Sequence, residues 1–268
     1  MKIFAIRDSS LMNDNITGYL FYHENSGRFF AEIPQNADEW VCPFMFAGHV
    51  KRGIYSIGSD WTRKWVDQRI VPQDRQNLGM ILKTNGLKEY DLYRLLILTE
   101  GRCPQDECYI ETMDEAYLPD EIRDRQKIKV REIFPISGNR VIVIFRDDIV
   151  KLVDVRKLTD GRREFSKVLS DPSIFANAKV TPLGFGAEWG EERWISAEIL
   201  RKEGVRMPFM GQELLDCFND RIISTTKASE LLGCTRQYIN QLDRQGKLKN
   251  VREEGNMKFY LRSDVEGL

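Results

Sequence analysis

The chain contains 268 residues, of which 42% are hydrophobic and 30% charged. This composition excludes a disordered chain and allows two or three small globular domains. No apolar run approaches the roughly 20 residues that a membrane-spanning helix needs, and the N-terminus turns polar too early for a secretion signal. We therefore expect a cytoplasmic protein with no membrane partner.

The formal net charge of −1 is the sum of oppositely charged segments. Residues 1–125 contain 15 basic and 20 acidic side chains, whereas residues 221–268 contain 9 basic and 6 acidic ones. A polyanion would repel the first segment and attract the last one. The charge distribution therefore favours a nucleic-acid contact near the carboxyl end of the chain.

The first block, residues 1–125, shows strand patterns followed by helix patterns. Lys2 to Arg7 is expected to form a strand, and residues 24–27 form a turn signal between two aromatic-rich runs, which predicts a hairpin. We predict a further strand over Trp40 to Phe46. Three helices are then expected, over residues 61–68, 74–83 and 88–99.

The second block, residues 126–210, begins after a charged stretch that follows Pro119 and is either a linker or an exposed helix. Its first part predicts three strands, because β-branched and apolar residues dominate residues 130–136, 141–145 and 149–155. We expect a small α+β domain here.

A resemblance to a known family covers about residues 128–208. It depends on the strand that ends in residues 143–148, on Asp171 to Phe175, and on Trp189 followed by residues 195–200. These residues resemble the small bacterial domain of unknown function 2442. The resemblance implies a small α+β fold and no established activity.

The third block, residues 211–268, contains the pattern of two short helices joined by a tight turn. Ser224 and Thr235 stand where N-cap residues are expected, and Gly233 stands where a left-handed residue reverses the chain. The apolar positions of the two helices are expected to form the core: Ala228, Leu231, Leu232, Ile239 and Leu242.

The second of these helices has a polar outer face. Arginine can bond guanine in the major groove, asparagine and glutamine can bond adenine, and a recognition helix presents such residues near its N-terminus. A two-stranded wing with its turn at Gly255-Asn256 is expected to follow, with lysines placed to meet phosphates. The predicted DNA-binding residues are Thr235, Arg236, Gln237, Tyr238, Asn240, Gln241, Lys247, Lys249, Asn256 and Lys258.

Residues 222–266 resemble the winged helix-turn-helix of excisionases and MerR-type regulators. The residues that carry this resemblance are Ala228, 231–233, Thr235-Arg236, Ile239, Leu242, 246–248, Tyr260 and 263–265. It implies that the second helix enters the major groove and that the wing contacts phosphates or the minor groove. Glu253 and Glu254 depart from it by placing acid on the wing, and no long coiled coil for dimerisation follows.

The cysteines, histidines and aromatics are candidates for other kinds of site. Cys103 and Cys108 form a single pair where zinc needs four ligands, and His23 and His49 are the two histidines of the chain, so we expect reduced thiols, no metal and no cofactor. Two histidines leave little for a general base, and neither is expected to have a partnered nucleophile, so we expect no catalytic residues and no enzyme. The aromatics of residues 19–65 form either a core or a ligand cleft.

The sequence thus predicts a multidomain α+β protein with parts at residues 1–125, 126–210 and 211–268. Its expected function is sequence-specific binding of double-stranded DNA, as a transcriptional regulator or a mobile-element accessory protein. We expect a homodimer formed through the first or second part. The alternative is an adaptor or antitoxin-like partner that binds another protein and no DNA.

Overall fold

The computed structural model describes residues 1–12, 16–190 and 193–268. The fold is α+β, with helices set between antiparallel strand pairs. The chain divides into two compact units. The first unit contains residues 1–147 and 151–206, and the second contains residues 148–150 and 207–268.

A five-stranded sheet forms the centre of the first part of unit 1. Its strands are β1 (Lys2–Asp8), β2 (Ile16–His23), β3 (Arg28–Glu32), β4 (Ser56–Ile57) and β5 (Cys108–Met113), in the order β4-β3-β2-β1-β5. Side chains alternate between the two faces of a strand, and both faces of this sheet are covered. Phe4 and Leu20 belong to one apolar cluster, whereas Ile3 and Phe21 belong to another. The predicted first strand and hairpin are confirmed.

Four helices lie between β3 and β5 in the chain. They are α1 (Ala47–Val50), α2 (Ser59–Asp67), α3 (Leu78–Thr84) and α4 (Leu92–Leu98). The helix expected over residues 61–68 is confirmed as α2, and the next two begin later than predicted. Asp91 explains the late start of α4, because its carboxylate accepts the Arg94 N–H at 3.0 Å and fixes the cap there.

The strand predicted over Trp40 to Phe46 is wrong. Asp38 folds this segment into a turn, because its carboxylate accepts the backbone N–H groups of Trp40 and Val41 at 2.8 and 3.0 Å. A short 3-10 helix over Phe44–Phe46 follows Pro43. The local side-chain hydrogen bonds therefore outweigh the aromatic strand signal.

The charged stretch after Pro119 forms helix α5 (Asp120–Lys127). It is not a linker, and it is not exposed on all sides, because Ile122 and Arg125 are buried. A helix that buries one arginine requires a compensating charge, and Glu32 of β3 supplies it.

Two smaller sheets follow the five-stranded sheet along the chain. Strands β6 (Val130–Ile136), β7 (Arg140–Phe145) and β8 (Ile149–Asp154) belong to a sheet of order β12-β8-β7-β6, and β9 (Lys179–Val180), β10 (Gly186–Glu188) and β11 (Trp194–Ser196) form one of order β11-β10-β9. The helices are α6 (Val155–Leu158), α7 (Ser166–Ser170), α8 (Pro172–Ala176) and α9 (Ala197–Glu203), and β12 spans Val205–Met210. The three strands predicted after residue 129 are confirmed, the last ending one residue early.

A buried ionic cluster lies inside unit 1, centred on Glu32. Its carboxylate contacts Lys129 Nζ at 2.5 Å, Arg125 Nη1 at 2.8 Å and Ser56 Oγ at 2.8 Å. Ser56 Oγ also lies 2.9 Å from the carboxylate of Glu198 on α9. The cluster therefore joins residues on both sides of the boundary predicted near residue 125, which lies within unit 1.

The second unit combines helices with a three-stranded sheet. In chain order it contains α10 (Gly211–Arg221), β13 (Ile222–Ser224), α11 (Thr225–Leu231), α12 (Arg236–Arg244), β14 (Asn250–Glu254), β15 (Met257–Leu261) and α13 (Arg262–Glu266). The sheet order is β13-β15-β14. Its core contains Ala228, Ile239, Leu242, Tyr260 and Val265. Within the described ranges of the whole chain, no helix is both long and apolar enough to cross a bilayer.

Candidate nucleic-acid interface

Helices α11 and α12 form a helix-turn-helix whose ends are fixed by local hydrogen bonds. Ser224 Oγ accepts the Lys227 N–H at 3.3 Å, and Thr235 Oγ1 accepts the Tyr238 N–H at 3.2 Å. Between the helices, Gly233 has a φ of +61°, a conformation that glycine adopts without steric cost. The two predicted caps and the predicted turn are confirmed.

The core of this module differs from the prediction at Leu231. Ala228 and Ile239 are fully buried, but Leu231 is 38% exposed. At about 100° per residue, the buried side of α11 passes through Ala228, Ser229 and Leu232, and Leu231 lies at its edge. Leu231 is therefore an edge residue, and its prediction as core is wrong.

The outer face of α12 is polar and open to solvent. Arg236, Gln237 and Gln241 are exposed, Tyr238 is 48% exposed, and Asn240 is half-buried. With Ile239 and Leu242 packed inward, the helical geometry places Gln237 and Gln241 on the opposite side. Among the residues that the structure describes, the side chains of Arg236, Gln237, Asn240 and Gln241 have no hydrogen-bond partner.

Arg244 also belongs to this outer face and was missed by the sequence prediction. It is exposed, and it lies seven residues after Gln237 and three after Gln241, so the three side chains project from one side of α12. The same periodicity that identified the other residues would have found it, had the pattern been continued to the end of the helix.

Ion pairs divide the basic residues of the module into two groups. Four are paired: Lys227 with Glu230 at 3.1 Å, Arg252 with Glu254 at 3.0 Å, Arg262 with Glu266 at 2.8 Å, and Lys258 with Asp243. Within the described part of the chain, the others form no ion pair: Arg221, Arg236, Arg244, Lys247 and Lys249. Helix α12 and the segment after it therefore carry positive charge that no described carboxylate compensates.

Asp243 connects α12 to both strands of the wing. Its carboxylate accepts a hydrogen bond from Asn250 Nδ2 on β14 at 3.2 Å and pairs with Lys258 on β15. The hydrogen bond to Asp243 raises the pKa of Lys258. Because this contact already engages the Lys258 ammonium, Lys258 fixes the wing, and its phosphate contact remains a prediction.

The wing is a hairpin of β14 and β15. Glu254 pairs with Met257, which leaves Gly255-Asn256 as the two-residue loop, and Gly255 has a φ of +58°. The predicted turn is confirmed. Asn256 is exposed at the tip, and Lys247 and Lys249 are exposed on either side of the buried Leu248. The predicted contact residues thus lie on α12, on the segment after it and at the wing tip.

No family model, curated protein or solved structure matches the chain. The resemblances of residues 128–208 and 222–266 therefore remain predictions.

All five cysteines are free thiols, and burial raises the pKa of Cys108 to about 12 and that of Cys42 to about 11. These two thiols stay protonated at neutral pH. Among the described residues, no group of three or more histidines, cysteines and carboxylates is arranged to hold a metal ion.

Proposed function

We propose that the module formed by α11, α12 and the wing binds double-stranded DNA, with α12 as the recognition helix. The observation that carries this proposal is the outer face of α12, where Arg236, Gln237 and Gln241 are exposed and have no side-chain partner among the described residues. On a polar helix face that serves only solubility, the side chains usually form ion pairs along the helix or hydrogen bonds to water. Here the face combines the donors and acceptors that match base edges.

The unpaired cations support the same assignment. Arg244 on this face, and Lys247 and Lys249 in the segment that follows α12, have no carboxylate partner among the described residues. Each cation that meets a phosphate releases counterions, which contributes affinity at low salt and loses it as salt rises. Base contacts would then select the sequence, while phosphate contacts fix the register of the module.

The connection between α12 and the wing supports simultaneous contact by both elements. Asp243 holds β14 and β15 against the helix, so the wing tip and the recognition helix are presented with a fixed spacing. A rigid arrangement reduces the ordering cost of binding. A sequence-specific regulator or a mobile-element accessory protein would use the module in this way.

The test begins with selection of bound sites from a random pool of DNA duplexes. The selected duplex is then titrated by fluorescence anisotropy across a series of salt concentrations. We expect Lys247→Ala with Lys249→Ala to weaken binding to all sequences and to reduce the slope of log K against log salt by about 2. Arg252→Ala is the matched control, because Glu254 already neutralises that cation, and we expect its slope to stay near that of the wild type.

Two results would contradict the proposal. One is the failure of the wild type to select any sequence at low salt. The other is equal loss of affinity in the Arg252 control and in the double variant, which would indicate a diffuse charge effect in place of a defined interface. An adaptor that binds no DNA would give the first result.

A further inference from the structure

A small cavity in the first unit is lined by residues of α1, α2, β4, β11 and α9. Its volume is about 230 Å³. This volume is below the range of cavities that hold drug-sized ligands, so the cavity can admit only a small molecule. The ionisable and hydroxyl side chains that line it are those of His49, Arg52, Ser56, Asp60, Arg162 and Ser196. We call it the α2 cavity.

Two indole rings, those of Trp61 and Trp194, form part of its wall. The Trp194 ring packs on the backbone of Gly58, where a Cβ atom would lie 2.0 Å from the ring. Trp61 meets the His49 ring edge-on, with 5.0 Å between the ring centroids, and the Lys64 ammonium lies over the Trp61 ring. Both indoles are therefore held in place by packing within the chain.

The carboxylate of Asp60 has no partner in this cavity. Its Oδ1 atom is buried and receives no hydrogen bond, and Asp60 forms no ion pair with any residue that the structure describes. A buried acceptor without a donor destabilises the folded state, so such an atom marks a place where a donor is missing. Because the last torsion of an aspartate is two-fold, rotation about it can present either oxygen to a donor in the cavity.

Arg52 contributes an unpaired positive charge to the same cavity. Its Nε donates to the Gly48 carbonyl at 2.9 Å, which leaves its two terminal nitrogens without a partner among the described residues. The other guanidinium is already compensated, because Arg162 pairs with Glu164 at 2.8 Å. Within the described part of the chain, the α2 cavity therefore carries one free charge of each sign, and these two charges do not pair with each other.

The remaining polar groups add no charge. Burial and the charge of Arg52 lower the pKa of His49, against the opposing effect of Asp60, so the imidazole is neutral at neutral pH. The hydroxyl groups of Ser56 and Ser196 are already hydrogen-bonded within the chain. Recognition of a charged ligand would therefore depend on Arg52 and Asp60.

We propose that the α2 cavity binds a small zwitterion, with its ammonium group on Asp60, its acidic group on Arg52 and its body against the two indole rings. An anion would be attracted by Arg52 and repelled by Asp60, and a cation would meet the reverse, whereas a zwitterion is attracted by both. Indole rings bind apolar and aromatic groups by contact and alkylated ammonium groups by cation–π attraction. Free amino acids and betaines are the two sources of this chemistry.

This site goes beyond the proposed DNA binding, and its detection requires no DNA. The α2 cavity belongs to the first unit, whereas α12 and the wing belong to the second. If a zwitterion bound while the DNA titration failed, the cavity assignment would stand and the proposed function would fall. The reverse result would remove the cavity assignment alone.

The experiment is isothermal titration calorimetry of the full chain with each of the common amino acids and with glycine betaine, up to millimolar concentration. We expect at least one of these probes to bind. Asp60→Asn and Arg52→Gln should each raise its dissociation constant at least about tenfold, because each variant loses one charged hydrogen bond. Asp67→Asn and Arg63→Gln are the matched controls, since these residues of α2 pair with each other outside the cavity.

Half-molecules of the probe test the need for both charges. For an amino acid that binds, these are the amine without the carboxylate and the acid without the ammonium group; for glycine betaine, they are tetramethylammonium and acetate. We expect each half to bind at least about tenfold more weakly than the whole. Absence of binding by every probe, equal binding of either half, or wild-type affinity in Asp60→Asn or Arg52→Gln would each overturn the proposal.

Discussion

Arg236 lies at the first position of α12, is exposed, and makes no ion pair with any residue that the structure describes. Its guanidinium can therefore form two parallel hydrogen bonds to the O6 and N7 atoms of a guanine. A lysine at this position could not reproduce the two bonds. The side chain is thus suited to discriminate between bases as well as to add charge.

We predict that Arg236→Ala relaxes sequence preference at one base pair by about 1–3 kcal/mol. Affinity for unrelated duplexes should fall less, because the lost contact is to a base and not to a phosphate. Competition between the selected duplex and single-base variants measures this preference. Arg262→Ala is the control, since Glu266 already pairs that arginine. An unchanged preference in Arg236→Ala would remove α12 from base recognition.

Glu198 illustrates a residue whose protonation is coupled to folding. Burial raises its pKa, and the neighbouring charge of Glu32 raises it further, against the opposing effect of Lys129. A raised folded-state pKa means that the folded protein holds the proton more tightly than the unfolded chain does. Stability from this group is therefore present at low pH and is lost as pH rises through the folded pKa.

We expect Glu198→Gln to remove this loss, because the amide oxygen can still accept the Ser56 contact without carrying charge. The free energy of unfolding of the variant should rise relative to the wild type as pH increases above about 4. Urea unfolding at a series of pH values measures the difference. Glu203→Gln, an exposed change on the same helix, should follow the wild-type curve, and parallel curves for all three proteins would contradict the coupling.

The residues that sequence reasoning identified correctly have partners close by in the chain. Ser224 and Thr235 cap helices that begin at the next residue. Asp243 and Glu32 could not be identified in this way, because the cations that they bind lie 15 and 97 residues further on. No helical or strand period contains that information.

At the scale of elements, the turn between α11 and α12 fixes how α12 is oriented relative to α11. Gly233 has a left-handed conformation, and a Cβ atom there would meet no neighbouring atom. The cost of a larger residue would therefore come from the backbone alone, without a steric clash.

We predict that Gly233→Ala destabilises the protein by about 1 kcal/mol or slightly more, because the left-handed conformation is unfavourable for a residue with a Cβ atom. Gly79→Ala is the matched control, since Gly79 lies inside α3 with open space around its Cα, and it should stabilise by about 0.5–1 kcal/mol. Urea unfolding followed by circular dichroism compares the two. Equal effects of both substitutions on the free energy of unfolding would contradict the left-handed conformation of Gly233.

Most elements could be predicted from local patterns, and the failures have local causes as well. Strand β7 is a continuous β-branched run and was placed within one residue. The segment around Trp40 was misassigned because aromatic residues favour strands, while Asp38 and Pro43 set a turn. In this segment, two turn residues outweigh six apolar ones.

At the scale of the molecule, the cluster around Glu32 determines how the first unit holds together. Lys129 and Arg125 are both buried and both bind this carboxylate. Breaking a buried ion pair leaves one charge without compensation, which costs more than the pair contributes.

We predict that Lys129→Met destabilises the protein by about 3 kcal/mol, the low end of the cost of breaking a buried ion pair, because Arg125 still pairs with Glu32. Lys127→Met, two residues earlier, removes an exposed lysine that pairs with Asp124 on the surface, and it should cost less than about 1 kcal/mol. Thermal and urea unfolding of both variants measure the contrast. Similar stability of the two variants would show that the cluster does not organise the unit.

The α+β class could be predicted because strand and helix signals are both strong along the chain. The separate domains expected at residues 1–125 and 126–210 depended on a composition change near Pro119. That change marks α5, which contributes Arg125 to the buried cluster within one compact unit. Composition reports solvent exposure on average and cannot distinguish a linker from a helix with one buried cation.

The buried carboxylate of Glu32 limits where the polypeptide can be divided into fragments that fold. A fragment that stopped before α5 would contain Glu32 without either of its buried cations, and the remaining fragment would contain Lys129 without its counter-charge. Neither piece would be expected to accumulate alone in a cell, whereas the two produced together could recover solubility by complementation. Breakage of the backbone in the loops around α5 would thus leave an associated pair of fragments and not two independent proteins.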